Sequence, residues 1–244
     1  MTDTGVAIIG AGEAGVAAAA ALRESGYEAR IMLIGDEPQL PYERPPLSKE
    51  ILLGSEIEMK LIRKSEWYDE LRIDYRPATR VDAIDADART ISLRLADGSG
   101  ETCHYDMLLL TTGARVRELP GAGAVHYLRT IEDGQRLRAA LGGVRSVAVV
   151  GGGVIGLEVA SSARALGLDV TVIDIAPRLM ARALAPEISQ LIERIHRDAG
   201  VRILTGVASL AFEPREGGVR IVVGEGTKID AGLVVAGIGV VPND

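Results

Sequence analysis

The chain carries one glycine pattern twice. Gly10-x-Gly12-x-x-Gly15 and Gly151-x-Gly153-x-x-Gly156 lie 141 residues apart in a sequence of 244. Each copy follows a short apolar run, Gly5–Ile9 or Ser146–Val150, and leads into a helical pattern. The first such pattern runs through Ala17 to Leu22 and stops near Gly26; the second runs through Glu158 to Leu166 and stops at Gly167. A second apolar run then follows, Ile31–Ile34 or Val170–Ile173, and ends close to an acid, Asp36 or Asp174. Strand, glycine turn, helix, strand and acid make a βαβ unit, so the repeat predicts two such units. The first glycine of such a turn permits the tight reversal, the second lets backbone approach a pyrophosphate, and the third lets helix pack on strand. The phosphates then meet free N–H groups and the positive end of the helix dipole. Ala19 and Ala160, four residues past each third glycine, keep the helix close to the sheet. Glycine-rich turns are common, and it is the flanking strand, helix and acid that separate these two from structural turns.

Each half closes with another strand-like run ending in glycine, Met107–Gly113 and Leu233–Gly239. Ahead of each lies an alternating segment with a turn, Arg89–Leu95 before Asp97-Gly98 and Val219–Val223 before Gly224–Gly226, which predicts a hairpin. The expected fold class is α/β, with two Rossmann-like dinucleotide-binding domains, each carrying a small antiparallel β insert. The Pro/Gly-rich stretch Leu119–Gly123 marks the boundary, giving domains 1–116 and 117–244.

Composition narrows the function. Hydrophobic residues make up 47% of the chain, enough for a buried core. A balance of 27 basic against 34 acidic residues, net −7, argues against nucleic-acid binding. The single cysteine, Cys103, excludes an internal disulfide, a CxxC redox pair and a cysteine zinc site, and fits a reducing, cytoplasmic setting. Cys103 and His104 are neighbours on an expected strand, so they point to opposite faces and form no thiolate–imidazole pair. The three histidines show no metal-ligand spacing, and no metal is expected. No run reaches the roughly 18 apolar residues of a membrane span. The apolar stretch Val6–Leu22 lacks a basic start and contains Glu13, and reads as a folded element rather than a leader.

Asp174 lies 23 residues after Gly151, where a carboxylate can accept hydrogen bonds from a ribose hydroxyl and repel a 2′-phosphate. That favours NAD over NADP, although Arg178 and Arg182 follow closely enough to hold a phosphate. Asp36 is the matching acid of the first unit, with Glu37 as neighbour and rival. On the residues alone, Arg44 and Arg129 read equally as surface charges, Tyr42 as packing beside prolines, and Trp67 as a partly buried anchor.

The segment Pro41-Tyr42-Glu43-Arg44-Pro45-Pro46-Leu47-Ser48-Lys49 resembles the RPPLSK segment of the FAD-dependent, NADH-linked ferredoxin reductases. This family includes the reductases of bacterial dioxygenase and P450 systems and the rubredoxin reductases. Tyr127–Asp133, Val149–Glu158, Ala176–Met180 and Gly237–Asn243 resemble the family in the same order. The resemblance implies glutathione-reductase-like FAD and NAD domains, and passage of hydride from NADH to FAD and then of single electrons to a ferredoxin or rubredoxin. It implies no membrane or nucleic-acid partner. Same-fold NADH oxidases, other NADH-linked flavoprotein reductases and a non-catalytic NADH-binding fragment stand as alternatives.

By the same resemblance Gly10, Gly12, Ala14 and Gly15 line the FAD pyrophosphate and Asp36 holds the adenosine ribose. Arg44, Pro45 and Lys49 border the flavin, Val81 meets the adenine end, and Thr112, Gly113 and Arg129 complete the FAD set. Thr111 departs from the family's Ala-Thr-Gly. The NAD candidates are Gly151, Gly153, Ile155, Gly156, Glu158, Asp174, Arg182 and Ile238. Lys49 and Glu158 are the catalytic candidates, expected as an ion pair bridging the domains. Family members continue past Gly237–Asn243 with a second flavin motif and a C-terminal domain, whereas this sequence stops at Asp244. Ferredoxins are typically acidic, so a partner of this −7 chain needs a local basic or apolar docking face.

Overall fold

A computed structural model describes residues 4–54, 58–120, 125–224 and 226–243. The chain divides into two compact units. One comprises Met1–Glu43, Met59–Ala114 and Pro242–Asp244; the other comprises Arg44–Glu58 and Arg115–Val241. Part of the expected boundary segment, 121–123, and one residue of the expected turn, 225, lie outside the described residues.

In the first unit β1 (Gly5–Ile9), α1 (Glu13–Glu24) and β2 (Arg30–Ile34) form the βαβ start. The helix α2 (Glu50–Leu53) comes next in the chain and packs within the second unit. Back in the first unit, α3 (Ser65–Glu70) and β3 (Ile73–Arg76) precede the insert strands β4 (Arg80–Asp85), β5 (Thr90–Arg94) and β6 (Gly100–His104), and β7 (Met107–Leu110) closes the sheet. The order β3-β2-β1-β7 is parallel throughout, and β4-β5-β6 is an antiparallel meander. Parallel strands covered on both faces read as unbroken apolar runs, which is why Gly5–Ile9 and Ile31–Ile34 do not alternate. The alternation is present in three dimensions. Val6, Ile8, Ile31 and Leu33 pack with Val16 and Ala19 of α1. Ala7, Ile9, Met32 and Ile34 face the other way, onto Ile91, Leu93 and Cys103 of the insert.

The second unit repeats this plan after a short strand β8 (Ala114–Val116) and the helix α4 (Ile131–Leu141). It runs through β9 (Ser146–Val150), α5 (Val154–Ala165), β10 (Asp169–Ile173), α6 (Pro186–Asp198) and β11 (Arg202–Leu204). The insert β12 (Leu210–Arg215), β13 (Gly218–Val223) and β14 (Thr227–Ala231) follows, then β15 (Leu233–Ala236) and β16 (Val240–Pro242). The parallel order β11-β10-β9-β15 matches the first unit strand for strand. Ala148, Val150, Ile173 and Val234 pack on Ile221, Val223, Ile229 and Ala231 of the insert. Ala19 and Ala160 are both fully buried under their helices, as their spacing predicts.

The repeat extends to a residue pair that hydrophobic pattern reading passes over. Arg23 and Arg164 occupy equivalent places near the ends of α1 and α5. Arg23 donates to the carbonyls of Leu71 (2.7 Å), Tyr27 (2.5 Å), Ala29 (2.8 Å) and Arg72 (2.8 Å). Arg164 donates to those of Ala199 and Leu168, both at 2.8 Å. Each guanidinium ties the end of its helix to the turn that precedes the third strand, and supplies donors to carbonyls left over at chain reversals. Arg23→Met is expected to cost about 1–3 kcal/mol of stability, because two half-buried and two exposed carbonyls lose a donor at once. Urea unfolding of the variant checks this, and a cost indistinguishable from zero would refute it.

Candidate functional site

The first glycine of each turn is held against the closing strand of its own unit. A Cβ on Gly10 would lie 2.1 Å from the carbonyl oxygen of Thr111, and one on Gly151 would lie 2.4 Å from that of Gly237. Both glycines also take φ +109°, a region that L side chains avoid. Thr111, the departure from the family pattern, uses its hydroxyl here, donating to the carbonyl of Gly10 at 2.7 Å with that of Ile9 at 3.1 Å. The third glycines pack as the motif requires: a Cβ on Gly15 or Gly156 would sit 2.0 Å from the carbonyl of the first glycine.

The second glycines do the opposite. Nothing lies within 4 Å of a Cβ built on Gly12 or Gly153. These residues are the N-caps of α1 and α5, and neither helix receives a side-chain cap. The contrast is α4, whose N-terminus is closed by its own capping box. There the amide of Asp133 donates to Thr130 Oγ1 at 3.2 Å, and Asp133 Oδ2 accepts from the amides of Arg129 and Thr130, both at 2.9 Å. Uncapped N–H groups beside open space suit a pyrophosphate at both turns.

The acids are not equivalent. Strand register aligns Ile34 with Ile173, since the amides of Gly10 and Gly151 both donate to those carbonyls at 2.8 Å. The next residues are Gly35 and Asp174, so Asp36 matches Ile175 and not Asp174. The expectation that Asp36 and Asp174 are matching acids is corrected by this one-residue offset. The central turn residue changes in step. Ala11 in the first unit lies 2.9 Å from where a Gly35 Cβ would be, and Gly152 in the second leaves room for Asp174. Asp174 fills that room: Oδ2 accepts from the Gly152 amide at 2.6 Å and Oδ1 from the Ala176 amide at 2.8 Å. Its first task is to brace the turn, which leaves only its remaining lone pairs for a ribose. Asp36 is exposed, and its side chain has no hydrogen-bond or ion-pair partner among the described residues. Glu37, its rival, accepts from the Tyr42 hydroxyl at 2.5 Å and so is tied to local packing.

Of the two arginines considered for a phosphate, Arg178 is consumed by structure. It donates to the carbonyls of Leu184 (2.8 Å) and Ala181 (2.9 Å) and to Ser189 Oγ (2.6 Å). Arg182 is exposed. In the first unit Ala14 and Gly113 are exposed and Val81 lies half-buried on β4 at a bulge. Thr112 binds Asn243, donating through Oγ1 to its carbonyl at 2.6 Å and accepting from its Nδ2 at 2.9 Å on the backbone oxygen. Ile238 packs on the core of the second unit.

Six candidates come together within the second unit. Arg44, Pro45, Lys49, Arg129, Ile155 and Glu158 line one cavity of about 310 Å³. Lys49 Nζ lies 2.9 Å from Glu158 Oε1 and donates to the carbonyl of Pro45 at 3.0 Å. The expected bridge between domains is instead a contact within one unit, because both partners belong to the second, in which Leu47, Ile51 and Leu52 are each only 2–3% exposed. Gly134 on α4 permits this approach, since a Cβ there would come within 3.0 Å of Ile51 Cγ2. Arg44 Nη1 donates to the carbonyl of Arg129 at 2.5 Å, which joins the two arginine-bearing segments. Ser48 also lines the cavity, and sequence reading gave it no role although it stands inside the most distinctive motif.

Two parallel sheets, each ending in an uncapped glycine turn, define a protein of two dinucleotide-binding units. The chain belongs to the pyridine nucleotide-disulphide oxidoreductase family, whose model matches residues 4–244. It is 46% identical over 241 residues to the ferredoxin–NAD(+) reductase component of the anthranilate 1,2-dioxygenase system of Burkholderia cepacia, covering 97% of this chain and 58% of that protein. The ferredoxin reductase for the CYP199A2 system of Rhodopseudomonas palustris superposes with a TM-score of 0.90 at 39% identity, covering 99% of this chain and 60% of that one. The putidaredoxin reductase of a covalent complex with putidaredoxin gives a TM-score of 0.88 at 38% identity, with the same coverage of 99% and 60%. The chain thus spans less than two thirds of these relatives. Among the described residues, no helix is long and apolar enough to cross a membrane.

The exchange of Ala11/Gly35 for Gly152/Asp174 makes a prediction. Gly152→Ala drives a methyl to 2.9 Å from Asp174 Oδ2 and 2.5 Å from Leu179 Cδ2, and is expected to destabilise by about 1–3 kcal/mol. Adding Asp174→Gly recreates the first unit's pair, so the double variant should be more stable than the sum of the single changes predicts. A urea-denaturation cycle measures the coupling, and strict additivity would refute it.

Cys103 yields a second. Burial, and then a 3.1 Å hydrogen bond to Glu101, push its thiol up to about 11. It should resist aromatic disulfide reagents at neutral pH until the chain unfolds. The unfolded thiol ionises first, so this group's share of stability is intact below about 9 and lost as pH rises towards about 11. Cys103→Ala should flatten that slope in denaturant titrations at stepped pH.

Proposed function

We propose that this chain is the FAD- and NADH-binding part of a reductase that passes electrons to a ferredoxin or rubredoxin. The observation that carries the reading is the cavity in which Lys49, Glu158, Arg44 and Arg129 converge, on a scaffold with two uncapped glycine turns. In this proposal 1–116 holds FAD and 117–244 holds NADH, with Arg44–Glu58 of the first stretch belonging to the second compact unit. Relatives at up to 46% identity are named as ferredoxin–NAD(+) or rubredoxin–NAD(+) reductases, which supports the acceptor class. A cytoplasmic setting accords with a single, buried cysteine.

In this reading Gly10, Gly12, Ala14 and Gly15 hold the FAD pyrophosphate at the start of α1, and exposed Asp36 takes its ribose. Val81, Thr112 and Gly113 complete that site. Gly151, Gly153 and Gly156 hold the pyrophosphate of NADH, and Ile155, Asp174, Arg182 and Ile238 border it. The preference for a cofactor without a 2′-phosphate is supported by the carboxylate fixed at the turn and by the engagement of Arg178. When bound, FAD would supply a hydride acceptor for NADH and one-electron release to the acceptor protein. The protein contributes position and field. Arg44 and Pro45 shape the cavity wall, Arg129 adds positive charge, and the Lys49 ammonium favours negative charge arriving beside it. Glu158 holds that ammonium in place. No dithiol relay operates within these 244 residues, since Cys103 is alone.

Purified chain mixed with FAD should take up yellow flavin absorbance, and anaerobic NADH should bleach it. Lys49→Ala should slow the bleaching by tenfold or more, on the order of 1.4 kcal/mol of barrier. A chain that binds NADH but leaves FAD free and unreduced would replace this reading with that of a nicotinamide-binding fragment.

A further inference from the structure

Ser48 and Ser162 are each only 4% exposed, in a region whose other buried contacts are mostly apolar. Buried hydroxyls are retained where they bond to something that matters. Ser48 ends the 3₁₀ turn Pro45–Ser48, and its Oγ donates to Glu158 Oε2 at 2.5 Å. Its carbonyl in turn accepts from Ser162 Oγ at 2.6 Å. Glu158 and Ser162 are four residues apart on α5 and so share one face. That face grips Ser48 twice, once by side chain and once by backbone.

The two oxygens of Glu158 are thereby divided. Oε2 belongs to the buried hydroxyl, and Oε1 to the Lys49 ammonium at 2.9 Å. The other acceptor near Ser48 Oγ, the carbonyl of Pro45, lies 3.4 Å away, and a short bond to a charged acceptor wins the proton. The terminal torsion of a glutamate is broad and selects no orientation by itself. Nor does the ion pair, since the side chains of Lys49 and Glu158 are 43% and 30% exposed, and an exposed pair pays in entropy for what it gains in attraction. The buried serine is the rigid partner.

We propose that Ser48, clamped by Ser162, is a positioning residue that orients the Glu158 carboxylate towards Lys49. This deepens, and in its importance rests on, the reading in which that pair borders the flavin. The orientation itself is a property of the chain and is tested without cofactor.

The experiment is acetylation of the cofactor-free chain by a limiting amine-reactive ester. Lys49 modification is read by peptide mass spectrometry, with Lys228 as internal standard. Wild type, Ser48→Ala, Ser48→Thr, Ser162→Ala and Glu158→Gln are compared. Lys49 should label several-fold faster in Ser48→Ala, approaching the rate in Glu158→Gln, with a smaller rise in Ser162→Ala. Ser48→Thr should restore the wild-type rate, and Lys228 should not change in any variant. Wild-type Lys49 rates in both serine-to-alanine variants would overturn the proposal, as would equal rates in all five proteins. If Ser48→Ala fails to fold, Ser162→Ala against Glu158→Gln decides on the same criterion. Absorbance after FAD addition to the same samples tests the functional reading separately. A wild-type chain that rejects flavin yet shows the labelling pattern keeps the positioning role and loses that reading.

Discussion

Both units depend on the contact between the first glycine of the turn and the carbonyl at the end of the closing strand. Gly10 meets Thr111, and Gly151 meets Gly237, at distances no Cβ could share. This close approach sets where each strand stops, how sharply the chain reverses and where the helix begins. The third glycine then seats the helix on the same turn. Once those two contacts are made, the second glycine is left facing open space with uncapped amides behind it. The open, uncapped helix N-terminus of each unit is therefore a by-product of steric constraints that the sheet imposes.

The same frame is used in two ways. In the first unit the methyl of Ala11 occupies the space over Gly35, and the nearby acid, Asp36, is exposed, with no side-chain partner among the described residues. In the second unit that space is empty of side chain at Gly152 and is taken by a carboxylate that bonds two backbone amides. Moving an acid by one residue along an extended chain changes the face on which it emerges. A one-residue offset thus separates an acid that braces the turn from one that stands exposed.

The segment Arg44–Glu58 shows how a motif acquires its meaning from packing. By chain order it follows the first βαβ unit, yet Leu47, Ile51 and Leu52 are buried within the second. Gly134 gives up helix propensity in the first turn of α4, at a typical cost of up to about 1 kcal/mol, to admit it. That packing brings Lys49 to Glu158 and hides Ser48 against α5.

The sequence by itself determined the parts that are local. A strand, three spaced glycines and an amphipathic helix are adjacent in the chain, and their sterics need no distant partner to be read. Both βαβ units, both hairpin inserts, both closing strands and the small residues under each helix were legible for that reason. The Lys49–Glu158 ion pair was legible only through resemblance, because nothing in residues 109 apart announces that they meet. The tertiary structure alone decided the rest. It decided the register that separates Asp36 from Asp174, the capture of Arg178 by backbone carbonyls, the matched roles of Arg23 and Arg164, and the burial of Ser48 and Ser162. Each of these turns on which carbonyl, amide or void lies opposite a side chain across a strand or helix contact, and such partners are set by three-dimensional packing, not by spacing along the chain.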